Sequence, residues 1–359
     1  MKTILTTTLL LLICITMSVA DPTQQVSLRN GNMEMNVINY GARIQSLKYA
    51  GQDVVLGFDT LQHYSKIKQN FGATVGRYIG RIIGGKLPIT TTDSKGRTTT
   101  DTLQVQVGGN GDCAHGGTPS FSQRHWTILC SNDSAMTLRY VSPDGENGFP
   151  GELTLDVTYT LLHSSLRIDY AATTTKATAL NPSNHSFFNL SADLGSTVHD
   201  EMLWINSDSI ALYNDKKQVT GKMGSVTGTP FDFRQATLIG KRINEDNKQL
   251  RVTNGYDHCY QLKNAGSLDV PVAMLTDLTT GIMMRVYTTE PAMQIYTANG
   301  HKGNIIGKDG KAYPKQNAIC FETMHFPDSP NNPQWPTTQL NPGETFRSTT
   351  IYSFAIVGE

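Results

Sequence analysis

Short runs in which apolar and polar residues alternate, broken by Gly, Asn and Asp, make up most of this chain. Such runs carry the two-residue period of strands with one buried face. Val26-Ser27-Leu28 reaches a turn at Asn30-Gly31 and the pattern resumes over 33–38, which predicts a hairpin with a primed turn. Asn39-Tyr40-Gly41-Ala42-Arg43-Ile44 leads into a strand over 47–50 and another turn at Gly51-Gln52-Asp53. The same pattern predicts strands over 127–130, 136–141, 153–162 and 166–173. A last one, over 349–356, follows the turn Asn341-Pro342-Gly343. Spacing of 3.6 residues is scarce, and 60–69 is the best candidate for a short helix. No fixed-period repeat is visible, which argues against a propeller or solenoid. No Pro- or Ser-rich linker divides the chain. The expectation is an all-β protein, with one large antiparallel β-sandwich domain over 21–359.

Residues 1–20 stand outside that pattern. Lys2 is followed by a mostly apolar stretch and by Ser18-Val19-Ala20, a small-residue cleavage site before Asp21. This reads as a secretory signal peptide, too short for a spanning helix. A lipoprotein anchor at Cys14 would need a small residue before it, and Ile13 is bulky. Export to the periplasm or the extracellular space is expected, with no membrane-spanning stretch after the leader. Without Lys2 the charges nearly cancel. That excludes the basic excess needed for nucleic acid or an anionic membrane surface. Few charges and many Gly, Thr and Asn suit a neutral, hydroxylated ligand.

Beyond the leader lie Cys113, Cys130, Cys259 and Cys320. An even number in an oxidising compartment permits disulfides, in three complete pairings, and equally permits free buried thiols. No Cys-x-x-Cys, His-x-His or His-Glu-x-x-His spacing occurs, so no metal site is signalled.

Candidate chemistry gathers in five places. The stretch Asn181-Pro182-Ser183-Asn184-His185-Ser186-Phe187-Phe188-Asn189-Leu190-Ser191 sets one imidazole among amides and hydroxyls, with two phenyl rings close behind. That is the make-up of a polar cleft with an aromatic wall, although a histidine in a strand is more commonly a hydrogen-bonded core residue. Asn184 and Asn189 also form sequons and are expected inside the site. In Gly76-Arg77-Tyr78-Ile79-Gly80-Arg81-Ile82 the glycines allow bends that aim a guanidinium inward; the phosphate-loop spacing is absent. His115, within Gly108-Gly109-Asn110-Gly111-Asp112-Cys113-Ala114-His115-Gly116-Gly117, sits on a flexible loop able to reach a ligand, and that glycine spacing is not a dinucleotide fingerprint. Trp126 is expected in the core. The turn segment 142–151 carries acids expected to be solvated. Asp232 is expected to pair with Arg234 or to cap a turn, while Asp257, in Gly255-Tyr256-Asp257-His258, is as well suited to accepting hydrogen bonds from two vicinal hydroxyls as to a structural role. Finally, Glu322 lies in an apolar run, Ile319-Cys320-Phe321-Glu322-Thr323-Met324, where a carboxylate is costly unless functional, and where burial would raise its pKa toward that of a useful base.

Taken in order, these motifs resemble the aldose 1-epimerase (galactose mutarotase) family over nearly the whole mature chain. The resemblance rests on Asn39-Tyr40-Gly41-Ala42, Gly76-Arg77 through Arg81-Ile82, His115-Gly116-Gly117, Asp144-Gly145 through Gly151, Asn184 through Leu190, Tyr256-Asp257-His258, and Glu322-Thr323 through Pro327-Asp328. It implies a galactose mutarotase-like supersandwich with an open sugar cleft and neither metal nor nucleotide cofactor. It further implies Glu322 as general base on the anomeric hydroxyl and His185 as general acid on the ring oxygen, on opposite sides of one sugar. Arg81, His115, Asp257 and Gln294 are implied to hold the substrate. Two positions depart from the pattern. Gly80 stands where the family usually has Asn, and Met324 where it usually has an amide, which bears on sugar preference. The competing readings are a non-catalytic sugar binder on the same fold, an epimerase of phosphorylated hexoses, and a glycoside hydrolase using Asp257 and Glu322 as its two carboxylates.

Overall fold

A computed structural model describes residues 23–263 and 266–358; the expected leader over 1–20 lies outside them. The architecture is built almost wholly from antiparallel strands. The first hairpin pairs Gln25–Asn30 with Met33–Ile38 around Gly31, at φ 55°. A four-stranded sheet is completed by Arg43–Tyr49 and Gln52–Asp53. The chain then builds a nine-stranded sheet. Its spine is Ala135–Ser142, Leu153–Leu162, Ser165–Thr174, Phe346–Ile356, Ile282–Thr288 and Ala273–Asp277 in spatial order.

The period-two pattern explains these strands directly. Along Leu153–Leu162 every second residue is buried, from Leu153 through Leu161. These side chains join Ile168, Leu275, Met284 and Phe354 of the same sheet in one buried cluster. The cluster also takes in Val37, Ile44 and Leu47 from the four-stranded sheet, and Met293, Ile295 and Phe321 from a five-stranded sheet described below. Fully burying each such side chain is worth about 1.5–3 kcal/mol.

Predicted strands match observed ones to within three residues at each end, except the one expected over 47–50, which begins four residues earlier, at Arg43. The helix expected over 60–69 is one turn, Leu61–Tyr64. A helix the apolar period did not reveal, Lys248–Thr253, is capped by the Asn247 side chain accepting from Gln249 N–H and ends at Asn254 in the left-handed region, φ 62°. Trp126 is core, its Nε1 donating to the Phe121 carbonyl. Asp232 pairs with Arg234 as expected. Glu146, expected to be solvated, instead turns its side chain inward, 8% exposed: it pairs with Arg124 and accepts from Tyr140 and Ser142. The four cysteines among the described residues are free thiols, and of these Cys130 is exposed and the other three buried.

Candidate active site

The site stands on one face of the five-stranded sheet, whose spatial order is Val219–Ser225, Ser209–Tyr213, Asp257–Gln261, Ala292–Tyr296 and Cys320–Met324. Cross-strand partners share a face. Asp257 faces Tyr296, Cys259 faces Gln294, Gln294 faces Glu322, and Tyr296 faces Cys320. These residues therefore point the same way, while Tyr260, Met293, Ile295 and Phe321 point into the core. One strand thus supplies both a core residue and a reactive one, because successive side chains alternate.

Two further pieces close the site. Ser183–His185 pairs with Ala73–Val75 and brings the His185 ring over Glu322; the His185 carbonyl accepts from Gly72 N–H. Arg81–Ile82 pairs with Cys113–Ala114, and His115 N–H donates to the Gly80 carbonyl. That small ladder holds Arg81 and His115 side by side. It depends on Gly116, at φ 82°, where a Cβ would collide with the Gly76 carbonyl oxygen.

The result is a cavity of about 360 Å³ lined by Arg81, His115, His185, Asp257, Gln294 and Glu322, the six residues that the family resemblance implied. Its size is at the small end of ligand pockets, about 300–1,000 Å³. His185 Nε2 lies 3.5 Å from Glu322 Oε1. The expectation of acid and base on opposite sides of a substrate is therefore corrected: they are neighbours. Both side chains are almost wholly buried, at 7% and 4% exposure. Burial pushes the Glu322 carboxyl well up, helped by the nearby Asp257 charge. Burial likewise pulls His185 down to about 3, with His115 adding to it. Both shifts run against the charged form of the group concerned.

The other polar residues of the cavity form a connected network. Gln294 Nε2 donates to Asp257 Oδ1 at 2.6 Å, and Tyr213 Oη donates to Gln294 Oε1 at 3.3 Å. Burial raises the Asp257 pKa, offset in part by that hydrogen bond and by Arg81 and Lys217. His115 is lowered to about 4 by burial and then by Arg81. Arg81 Nη1 lies 3.9 Å from the buried Asp112, which also accepts from Gly84 N–H and Gln218 Nε2. Asp112 therefore ties the Arg81 strand to the hairpin loop that carries Lys217 into the cavity wall.

Sequence reasoning missed Tyr213, Lys217, Tyr296 and His301, which also line the cavity. Tyr296 was within reach of it: two residues beyond Gln294 on one strand is the same face. Other expectations need correcting. Of the two phenyl rings behind His185, Phe187 lines the cavity, at 4.9 Å from the His185 ring, but Phe188 turns into the core against Tyr352. Asn184 and Asn189 are structural rather than part of the site, since their amides donate to the carbonyls of Gly72 and Asn317. Arg77 does point inward, as the flanking glycines allow, but away from the cavity lining. It is buried and donates to the Pro150 and Gly151 carbonyls and to Ser142 Oγ. The two departures at Gly80 and Met324 are in contact: a Cβ on Gly80 would lie 3.2 Å from Met324 Cε. The methionine methyl thus stands next to the space a side chain at 80 would enter.

A β-supersandwich whose open sheet face carries a buried acid–base pair and a ring of sugar-type hydrogen-bonding groups defines a class of carbohydrate-active protein. The chain belongs to the aldose 1-epimerase family, whose model matches residues 24–353. It is 34% identical to the galactose mutarotase of Bos taurus over 94% of this chain and 95% of that one. It is 32% identical to the aldose 1-epimerase of Escherichia coli K12, over 93% and 95% of the two chains. Among solved structures, the galactose 1-epimerase of Lactobacillus acidophilus superposes with a TM-score of 0.80 at 27% identity, covering 93% of this chain and 95% of that one.

Proposed function

We infer that this protein is an isomerase that interconverts the α and β anomers of free aldohexoses such as galactose and glucose by opening and reclosing the ring. The observation that carries the reading is the 3.5 Å approach of His185 Nε2 to Glu322 Oε1 inside a cavity sized for one sugar. The anomeric hydroxyl oxygen and the ring oxygen are bonded to the same carbon. An acid and a base that act on these two atoms must therefore be neighbours.

In this reading Glu322 takes the proton of the anomeric hydroxyl as His185 Nε2 gives one to the ring oxygen, and the C1–ring-oxygen bond breaks to leave the aldehyde. Rotation about C1–C2 presents the other face, and reclosure with the proton transfers reversed yields the other anomer. The chemistry uses the ion-paired form of the couple, with His185 protonated and Glu322 ionised. That form has the same proton count as the uncharged one, so the sugar's hydroxyls need only shift the proton between two adjacent groups, not recruit one from water. Arg81, His115, Asp257 and Gln294 would hold the ring. A pure sugar binder has no use for a matched acid and base, and no observation favours it.

Export under the leader 1–20 is part of the proposal and is supported by Lys2, the apolar stretch behind it and Ser18-Val19-Ala20. Finding Asp21 as the mature N-terminus by mass spectrometry would support it. The activity itself is tested by optical rotation. Freshly dissolved α-galactose and α-glucose should reach equilibrium faster with purified protein than without, and an unchanged rate for both would overturn the assignment.

A further inference from the structure

Cys320 is completely buried, lies outside the cavity lining, and has its Sγ 3.5 Å from His185 Nδ1. It faces Tyr296 across the sheet on the same strand as Glu322 and two residues before it. The His185 ring is therefore held at both nitrogens, Nε2 by Glu322 and Nδ1 by Cys320. The rest of its surroundings are rings: Phe187 tilted at 4.9 Å, and His115 and Tyr296 edge-on at 5.9 and 6.3 Å.

We propose that Cys320 is a positioning residue for the reaction: its sulfur accepts a hydrogen bond from His185 Nδ1–H, leaving Nε2 as the nitrogen that exchanges protons with Glu322 and the sugar. This rests on the acid–base assignment above and adds the choice of nitrogen. A neutral imidazole carries one proton. If it sat on Nε2, His185 could not accept a proton back from the sugar during ring closure through the nitrogen that faces it. With the proton on Nδ1, Nε2 is free to accept in one direction and, once protonated, to donate in the other.

A thiol suits this task because sulfur is a weak, uncharged acceptor. A carboxylate in its place would favour the imidazolium and make it a poorer acid. Burial pushes the Cys320 thiol well up, with Glu322 and Asp257 acting in the same direction, so it stays protonated and neutral. The ring's own backbone carbonyl is the other acceptor near His185, and it already accepts from Gly72 N–H at 3.0 Å.

The test is the tautomer of His185 in sugar-free protein labelled with [¹⁵N]histidine at neutral pH, with signals assigned by their loss in His185→Asn. The expected wild-type spectrum has a protonated Nδ1 and an unprotonated Nε2. In Cys320→Ala the tautomers should mix and kcat fall about tenfold, the scale of one hydrogen bond, with KM within about twofold. Cys320→Ser, which keeps an acceptor, should stay near wild type in both. A wild-type proton on Nε2 overturns the proposal, and so does a Cys320→Ala protein in which either the tautomer or kcat is unmoved. An unmoved tautomer would mean that the backbone carbonyl suffices. Should Cys320→Ala fail to fold, the wild-type and Cys320→Ser spectra still decide. Because the wild-type tautomer is read without turnover, a protein with the expected tautomer and no mutarotation loses the functional reading instead.

Discussion

Gln294 stands directly opposite Glu322 in the sheet and donates its amide to Asp257. One residue therefore joins the proposed base to the proposed sugar-binding carboxylate, and both are locked into the register of neighbouring strands. The proposed acid is brought to the same place by a different element, the short strand ending at His185. Removing either reactive group should leave this framework standing.

Glu322→Gln is accordingly expected to fold with an unchanged melting temperature or a higher one, since an amide needs no costly ionised form in a buried position. Its mutarotation rate should fall by about 10²–10⁴-fold, the usual contribution of a proton-transfer group. Circular dichroism and polarimetry on one preparation check both halves. A near-wild-type rate would move the base to Asp257.

His185→Asn should lower kcat by a similar factor, while sugar affinity weakens by tenfold or less, because Asn can still hydrogen-bond a ring oxygen but cannot give up a proton. Titration calorimetry with galactose measures the affinity. Equal, small losses in both would reduce His185 to a binding residue and make His115 the next candidate for the acid.

Gly116→Ala is expected to destabilise the protein by roughly 1–3 kcal/mol, the scale of a strained backbone position. The added methyl group meets the Gly76 carbonyl, and the backbone there is left-handed. As Gly116 adjoins His115, KM should rise with the loss in melting temperature. A mutant with wild-type KM would show that the loop does not set the sugar contacts.

Stability should decline on both sides of a maximum in pH. On the acid side, His258 and His185 are lowered to about 3 by burial from an ordinary value of 6.5. The unfolded chain binds their protons first, so the folded state loses stability as pH falls below about 6.5. On the alkaline side, burial raises Glu201 to about 8 from 4.5. The unfolded chain ionises first, so stability is lost as pH rises from about 4.5 to 8. Glu201→Gln keeps an acceptor for Leu190 N–H and should be more stable than wild type by a margin that widens through that window, by at most about 1.4 kcal/mol per pH unit. Denaturant melts at pH 5 and pH 8 measure the margin; a constant difference would mean that Glu201 is ionised in the fold.

The sequence by itself determined several of the long strands and which faces they bury. A period of two is a local property, and Leu153–Leu162 follows it residue by residue. It also singled out Glu322, because a carboxylate inside an apolar run needs a reason. What it could not decide was which polar residues meet. His185 and Glu322 come together through pairings between segments far apart in the chain, and only the assembled sheet makes them neighbours. The fates of Phe187 and Phe188, adjacent in sequence and opposite in role, were settled the same way, by which side of the backbone faced the cavity. Arg77 and Arg81 look alike along the chain. Tertiary contacts buried one among backbone carbonyls and left the other at the cavity wall beside Asp112, because a guanidinium goes where its hydrogen bonds can be satisfied.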